Sequence, residues 1–126
     1  MKILIIDDDA TDQKLIKRAV KNLDVEGEFE TAETGDEGLN KVGLFQPDVV
    51  FLDVNLPQES GFEIHKKIKA INAELPIILL TGATDAQHYQ KANEAGVKAY
   101  INKNSIEQSL RTILNRFKLL SRPQKL

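Results

Sequence analysis

Apolar positions along this chain follow two periods, one suited to strands and one to helices. Residues 2–6, Lys-Ile-Leu-Ile-Ile, are a nearly unbroken apolar run, the pattern of a strand buried on both faces. Asp7-Asp8-Asp9 ends it. Over residues 10–23, Leu15, Ile16, Ala19, Val20 and Leu23 return at helical spacing. Asp9 is placed to cap that helix, and Asp12 puts a negative charge in its first turn. Residues 28–32, Glu-Phe-Glu-Thr-Ala, alternate polar and apolar, which predicts a wetter strand at a sheet edge. Thr34-Gly35-Asp36-Glu37 has the form of a capping box and predicts a helix carrying Leu39, Val42 and Phe45.

Pro47 leads into Val49-Val50-Phe51-Leu52-Asp53, a buried strand that stops at a carboxylate. Leu56-Pro57 excludes a regular continuation. Ser60-Gly61-Phe62-Glu63 then opens a helix bearing Phe62, Ile64, Ile68 and Ile71. Ile77-Ile78-Leu79-Leu80 is a fourth buried strand, ending at Thr81-Gly82. Thr84-Asp85-Ala86-Gln87 predicts a helix with only a thin apolar stripe, Tyr89, Ala92 and Ala95, stopped at Gly96. Residues 97–101 read as a fifth strand, followed by Asn102-Lys103-Asn104. Ser105-Ile106-Glu107-Gln108 caps a last helix with Ile106, Leu110, Ile113, Leu114, Phe117 and Leu120 on one face. His65 and His88 have no partner pattern and read as solvent-facing helix residues.

Strand and helix thus alternate through five βα units, which predicts an α/β protein with helices on both faces of a parallel sheet. With the polar strand at an edge and right-handed crossovers, the order is 2-1-3-4-5, a doubly wound, flavodoxin-like sheet. One domain over residues 1–120 and a short tail, 121–126, are expected.

Composition narrows the function classes. The chain has 126 residues, 41% hydrophobic and 29% charged, the profile of a globular domain with a real core. A net charge of -2 makes no electrostatic case for direct nucleic-acid or membrane binding. Without cysteine there is no disulfide, thiolate metal site or thiol nucleophile. No signal-peptide or membrane-span pattern is present, so a cytoplasmic location is expected.

The chemistry lies at the strand ends. The first strand delivers Asp7 and Asp8, the third Asp53, the fourth Thr81 and the fifth Lys103. In a parallel sheet these ends share one edge, and the switch point puts Asp7, Asp8 and Asp53 closest together. Three carboxylates so placed repel unless a cation sits among them, and hard oxygen ligands suit Mg²⁺. With a hydroxyl and an ammonium beside Asp53, the set could serve a phosphoryl group on that carboxylate. Each residue alone has a plainer reading: a capping acid, a turn hydroxyl, a surface lysine or, for Tyr100, a half-buried strand residue. Their coincidence at matching strand ends is what carries the argument. No Gly-rich phosphate loop, zinc-ligand spacing or Ser-His-Asp pattern appears.

Over about residues 2–117 the chain resembles a two-component response-regulator receiver domain of the single-domain chemotaxis type. The matching motifs are Ile5-Ile6-Asp7-Asp8, Leu52-Asp53-Val54-Asn55-Leu56-Pro57 with Gly61, Leu80-Thr81-Gly82, and Tyr100 with Lys103. The resemblance implies that Asp53 accepts a phosphoryl group from a sensor histidine kinase or histidine phosphotransfer protein. It implies Mg²⁺ held directly by Asp8, Asp53 and the backbone carbonyl of Asn55, with Asp7 acting through water. Lys103 would contact the phosphoryl oxygens. Thr81 and Tyr100 would move inward together and rearrange the face of the fourth helix, fifth strand and fifth helix. A downstream protein would dock there, with the chain monomeric or pairing on phosphorylation. Asn104 stands where the family usually has proline, and a non-proline residue strongly prefers a trans peptide. Asn55 and Ala83 resemble family positions that tune dephosphorylation.

The first expectation is therefore a phosphoryl-switched signalling module that acts on itself only, not a metabolic enzyme. With the sequence ending at Leu126, output is expected through partner docking. An aspartyl-phosphate phosphatase of the haloacid-dehalogenase type competes poorly, since it needs a second Asp where Asn55 stands and a cap for which there is no room. A receiver-like interaction module that works without phosphorylation is the other alternative.

Overall fold

The computed structural model describes residues 1–82 and 86–120, at 86–88 for the backbone alone. Strands β1 (Lys2–Ile6), β2 (Glu28–Ala32), β3 (Val49–Asp53), β4 (Ile77–Thr81) and β5 (Ala99–Asn102) alternate with helices α1 (Ala10–Lys21), α2 (Gly35–Phe45), α3 (Gly61–Ile71), α4 (Ala86–Glu94) and α5 (Ile106–Arg116). The strands pair in parallel in the order β2-β1-β3-β4-β5, the predicted doubly wound α/β sheet. β2 lies at one edge with its first four residues at least partly exposed, as its alternation requires.

The central strands feed two hydrophobic layers with alternate residues. Ile3, Ile5, Phe51, Ile78 and Leu80 pack with Ile16 and Val20 of α1 and Leu110 and Leu114 of α5. Leu4, Ile6, Val50, Leu52 and Leu79 pack with Val42 of α2 and with Ile64 and Ile68 of α3. Strands covered on both faces need no polar alternation, which is why β1, β3 and β4 read as continuous apolar runs. Each fully buried Leu, Ile or Phe contributes about 1.5–3 kcal/mol of transfer free energy, so this core carries the fold.

Among the described residues the helix starts are built as the caps predict, with one exception. Asp9 Oδ1 accepts from the amides of Thr11 and Asp12, Thr34 Oγ1 from Glu37, and Ser60 Oγ from Phe62. Ser105 makes no side-chain cap bond. Residues Lys103–Ser105 already form a 3₁₀ turn whose start is held by Asn102 Oδ1, which accepts the Asn104 amide at 2.8 Å, so the chain enters α5 already turning. A proline at position 104 could not donate that bond. The Thr84 capping box lies outside the described residues, as do Ala83, the His88 side chain and the segment 121–126. Gly96, with φ of +71°, follows α4 as a glycine stop.

His65 departs from its expected exposure. It is 4% exposed, on the α3 face that also buries Gly61, Phe62, Ile64 and Ile68. Four residues after Gly61 and three before Ile68, it shares their side of the helix. Burial and the neighbouring Lys69 charge hold its imidazole below the usual histidine range. α5 ends at Arg116, and Phe117 and Leu120 pack against the core from beyond it. Among the described residues no helix is long and apolar enough to cross a membrane.

Candidate functional site

Register brings the acids together. Ile6 of β1 pairs with Leu52 of β3, so Asp7 and Asp53 leave adjacent strands at the same level. Both are buried, Asp7 at 0% and Asp53 at 4% exposure. Each is pinned by the backbone amide two residues on. Asp7 Oδ1 accepts from Asp9 at 2.9 Å, and Asp53 Oδ1 accepts from Asn55 at 3.0 Å. In both cases the other oxygen, Oδ2, is turned to Lys103 Nζ at 3.2 Å.

The close turn after Asp53 depends on Gly61. Its amide donates to Val54 O at 2.8 Å, and a Cβ there would lie 2.3 Å from the Asp53 carbonyl oxygen. Rigid backbone on that side leaves room for glycine alone.

Lys103 comes from the far side of the sheet, at the end of β5, and reaches a third acid as well. Its Nζ donates to Asp12 Oδ2 at 2.5 Å and to Asp53 Oδ2 at 3.2 Å. Carboxylate oxygens of Asp7, Asp12 and Asp53 lie within 4.8 Å of one another. Asp8 is exposed and is not part of that grouping, while Asp12 is. The sequence placed Asp12 only in the first turn of α1. Its spacing of five residues from Asp7 held no separate signal, because the entry angle of α1 decides where Asp12 points.

Electrostatics follow from burial. Desolvation pushes the Asp7 carboxyl up to about 6, opposed by the Asp9 amide and the Lys103 charge and reinforced by Asp53. Burial also raises Asp53, against the Asn55 amide and Lys103. Burial disfavours the Lys103 ammonium, but its bond to Asp12 and the charges of Asp53 and Asp7 outweigh this and hold it above the usual lysine range. Three carboxylates facing one ammonium leave negative charge in excess. Asp7 Oδ2 is buried and accepts no hydrogen bond of good geometry, although Lys103 lies beside it. An all-oxygen donor set with an underused buried oxygen fits a hard divalent cation such as Mg²⁺.

Thr81 ends β4, fully buried, and pairs across with Asn102. Asp53 pairs with Leu80, so Thr81 stands one step beyond Asp53 on the neighbouring strand. Tyr100 is half-buried on β5, and its ring packs edge-on against Tyr89 of α4 with centroids 4.6 Å apart. Asn55 is exposed and bridges to Ser60. The sheet therefore brings Asp7, Asp53 and Lys103 into contact and places Thr81 on the same edge.

The model of the response regulator receiver domain matches residues 3–115. The chain belongs to that family. Its relatives include the chemotaxis protein CheY1 of Helicobacter pylori, 34% identical over 114 residues, which cover 88% of this chain and 91% of that protein. The probable C4-dicarboxylate response regulator DctR of Halalkalibacterium halodurans is 28% identical over 122 residues, 97% of this chain but 53% of DctR. The chain thus spans about half the length of that relative. Among solved structures, the BeF₃-activated N-terminal receiver domain of RstA from Klebsiella pneumoniae superposes with a TM-score of 0.81 at 25% identity, covering 93% of this chain and 97% of that one. Receiver domains are signalling modules of two-component systems rather than metabolic enzymes, and they bind Mg²⁺ at an acidic pocket. They work with histidine kinases, phosphotransfer proteins and downstream targets.

Proposed function

We propose that this protein is a phosphorylation-dependent switch whose phosphoacceptor is Asp53. The observation that carries the reading is the pinned Asp53 carboxylate. One oxygen is held by the Asn55 amide and the other faces Lys103 at 3.2 Å. That oxygen is the nucleophile. It attacks the phosphorus of a phosphohistidine as the P–N bond breaks, and the imidazole nitrogen leaves with its electron pair and takes up a proton. Little covalent chemistry is asked of the protein beyond alignment and charge compensation. Lys103 meets the negative charge on the phosphoryl oxygens, and the Thr81 hydroxyl bonds one of them from β4. Bound Mg²⁺ supplies the remaining positive charge. Asp53, Asp8, the Asn55 backbone carbonyl and, through water, Asp7 are the groups we assign to it.

The output follows from where Thr81 and Tyr100 sit. They belong to the paired strands β4 and β5, and Tyr100 touches Tyr89 of α4. An inward move of Thr81 toward the phosphoryl group makes room for Tyr100 to follow, which changes the α4–β5–α5 face. A downstream protein docks on that face, and the chain is a monomer or pairs through it once phosphorylated. The donor is a sensor histidine kinase or a histidine phosphotransfer protein, in the cytoplasm. Residues 1–120 form the receiver. The similar receiver domain of RstA, known in a BeF₃-activated form, supports an activation step in this fold.

Incubation with acetyl phosphate, with and without Mg²⁺, followed by intact mass measurement tests the chemistry. A gain of one phosphoryl group that needs Mg²⁺ and vanishes in Asp53→Ala is expected. A gain that persists in Asp53→Ala, or no gain from either acetyl phosphate or a phosphohistidine donor, overturns it.

A further inference from the structure

Lys103 is shared unequally. Its Nζ lies 2.5 Å from Asp12 Oδ2, and 3.2 Å from each of Asp7 Oδ2 and Asp53 Oδ2. The ammonium donates to Asp12 and Asp53 and lies beside Asp7 without a hydrogen bond of good geometry. The acids differ in their surroundings. The Asp7 and Asp53 side chains are 0% and 5% exposed and fixed by local amides, whereas Asp12, in the first turn of α1, is 24% exposed at the rim.

A divalent cation drawn to Asp7 and Asp53 competes with Lys103 for the same oxygens. Two positive charges in one half-buried pocket repel, so the ammonium must back away from those two acids when the cation enters. Lysine is a point charge on a flexible stem and holds no fixed direction without a partner. Asp12 is the acid Lys103 can keep.

We propose that Asp12 is a positioning residue for Lys103: it would retain the ammonium at the rim when the other acids of the site serve a divalent cation. Lys103 then stays at the rim with Asp12, poised for the phosphoryl group that arrives on Asp53. This rests on the receiver reading above and adds a residue to it. In this role Asp12 acts on the cation through Lys103 and is not itself a ligand.

Calorimetric titration with Mg²⁺ separates the two roles in four proteins: the unmodified chain, Asp12→Asn, Lys103→Met and the double variant. With Lys103 present, Asp12→Asn releases the ammonium onto Asp7 and Asp53 and weakens Mg²⁺ binding about 3- to 10-fold. In the Lys103→Met background the same change shifts the Kd by less than about 2-fold. Equal weakening in both backgrounds makes Asp12 a ligand and overturns the proposal; no weakening in either makes it a surface acid and does the same. At saturating Mg²⁺, Asp12→Asn lowers the maximal rate of phosphorylation by acetyl phosphate several-fold with little change in half-saturation, and Asp12→Glu restores part of it. An unchanged maximal rate also overturns the positioning role. Failure of the receiver reading looks different: the unmodified chain then binds no Mg²⁺ or gains no phosphoryl mass on Asp53.

Discussion

The two halves of the reactive edge are built to different standards. At β1 and β3 every strand residue from Ile3 to Ile6 and from Val49 to Leu52 is fully buried. Helices cover both faces there, and Asp7 and Asp53 are each held by a local amide. On the β4–β5 flank the cover thins. Among the described residues α4 buries only Ala92, while Tyr89, 43% exposed, leans on Tyr100. A reacting carboxylate must be held to within fractions of an ångström, whereas an element that reports the reaction must be cheap to move. The first half has the density for precision and the second the looseness for response.

The sharpest way to break this contrast is to hollow out the dense half. Phe51 is among the largest fully buried side chains and lies two residues before Asp53. Phe51→Ala is expected to cost about 3–5 kcal/mol, since the lost contacts add to the cavity left behind. Urea denaturation would read it as a lower midpoint with a similar slope. A loss below about 1 kcal/mol would show that the centre is less tightly packed than its burial indicates.

Legibility followed the apolar runs rather than the two halves. Long apolar runs in β1, β3 and β4 announced strands covered on both sides, and the alternation of β2 announced an edge. Order 2-1-3-4-5 followed, and with it the meeting of Asp7, Asp53 and Lys103. What the sequence did not disclose depends on angles rather than on period. Asp12 reaches the site because of how α1 leaves β1. Asp8, expected to hold the metal directly with Asp53, is exposed beside the buried Asp7. His65 was misread because a lone polar residue on an apolar helix face carries no sign of its own burial. Ser105 was misread because Asn102, three residues earlier, had already started the turn.

A smaller effect probes the strain within the dense half. The Asp7 carboxyl lies at about 6, above its ordinary 3.8, chiefly because it is buried. A group with a raised folded-state pKa favours folding when protonated. Its contribution is full below 3.8, declines as pH rises and is lost above about 6. Asp53, also raised, works in the same direction. Asp7 is therefore expected to make the metal-free protein more stable at pH 5.5 than at 7.5 by about 1 kcal/mol, opposed by His65, whose lowered imidazole favours the higher pH. Mg²⁺ needs the ionised acids, so its affinity falls over the same interval. Thermal midpoints at the two pH values, with and without Mg²⁺, check both signs. Asp7→Asn should flatten the metal-free trend. A metal-free pH trend identical in Asp7→Asn and the unmodified chain would show that the buried Asp7 carboxyl does not drive it.

The smallest effect belongs to the loose half. Tyr89→Ala removes an edge-to-face ring contact from a residue that is already 43% exposed. Such a pair is worth about 0.5–1.5 kcal/mol beyond area, and exposure puts this one near the lower end. Global stability should drop by only about 0.5 kcal/mol, a small fraction of the Phe51→Ala loss. The local result should be larger than the global one. Without Tyr89 the α4 amides lose a tether to β5, so their hydrogen exchange should speed up while β1 and β3 keep their protection. Uniform acceleration across the sheet would mean that α4 and the centre open together, and the flank could not then move while the reactive carboxylate stays fixed.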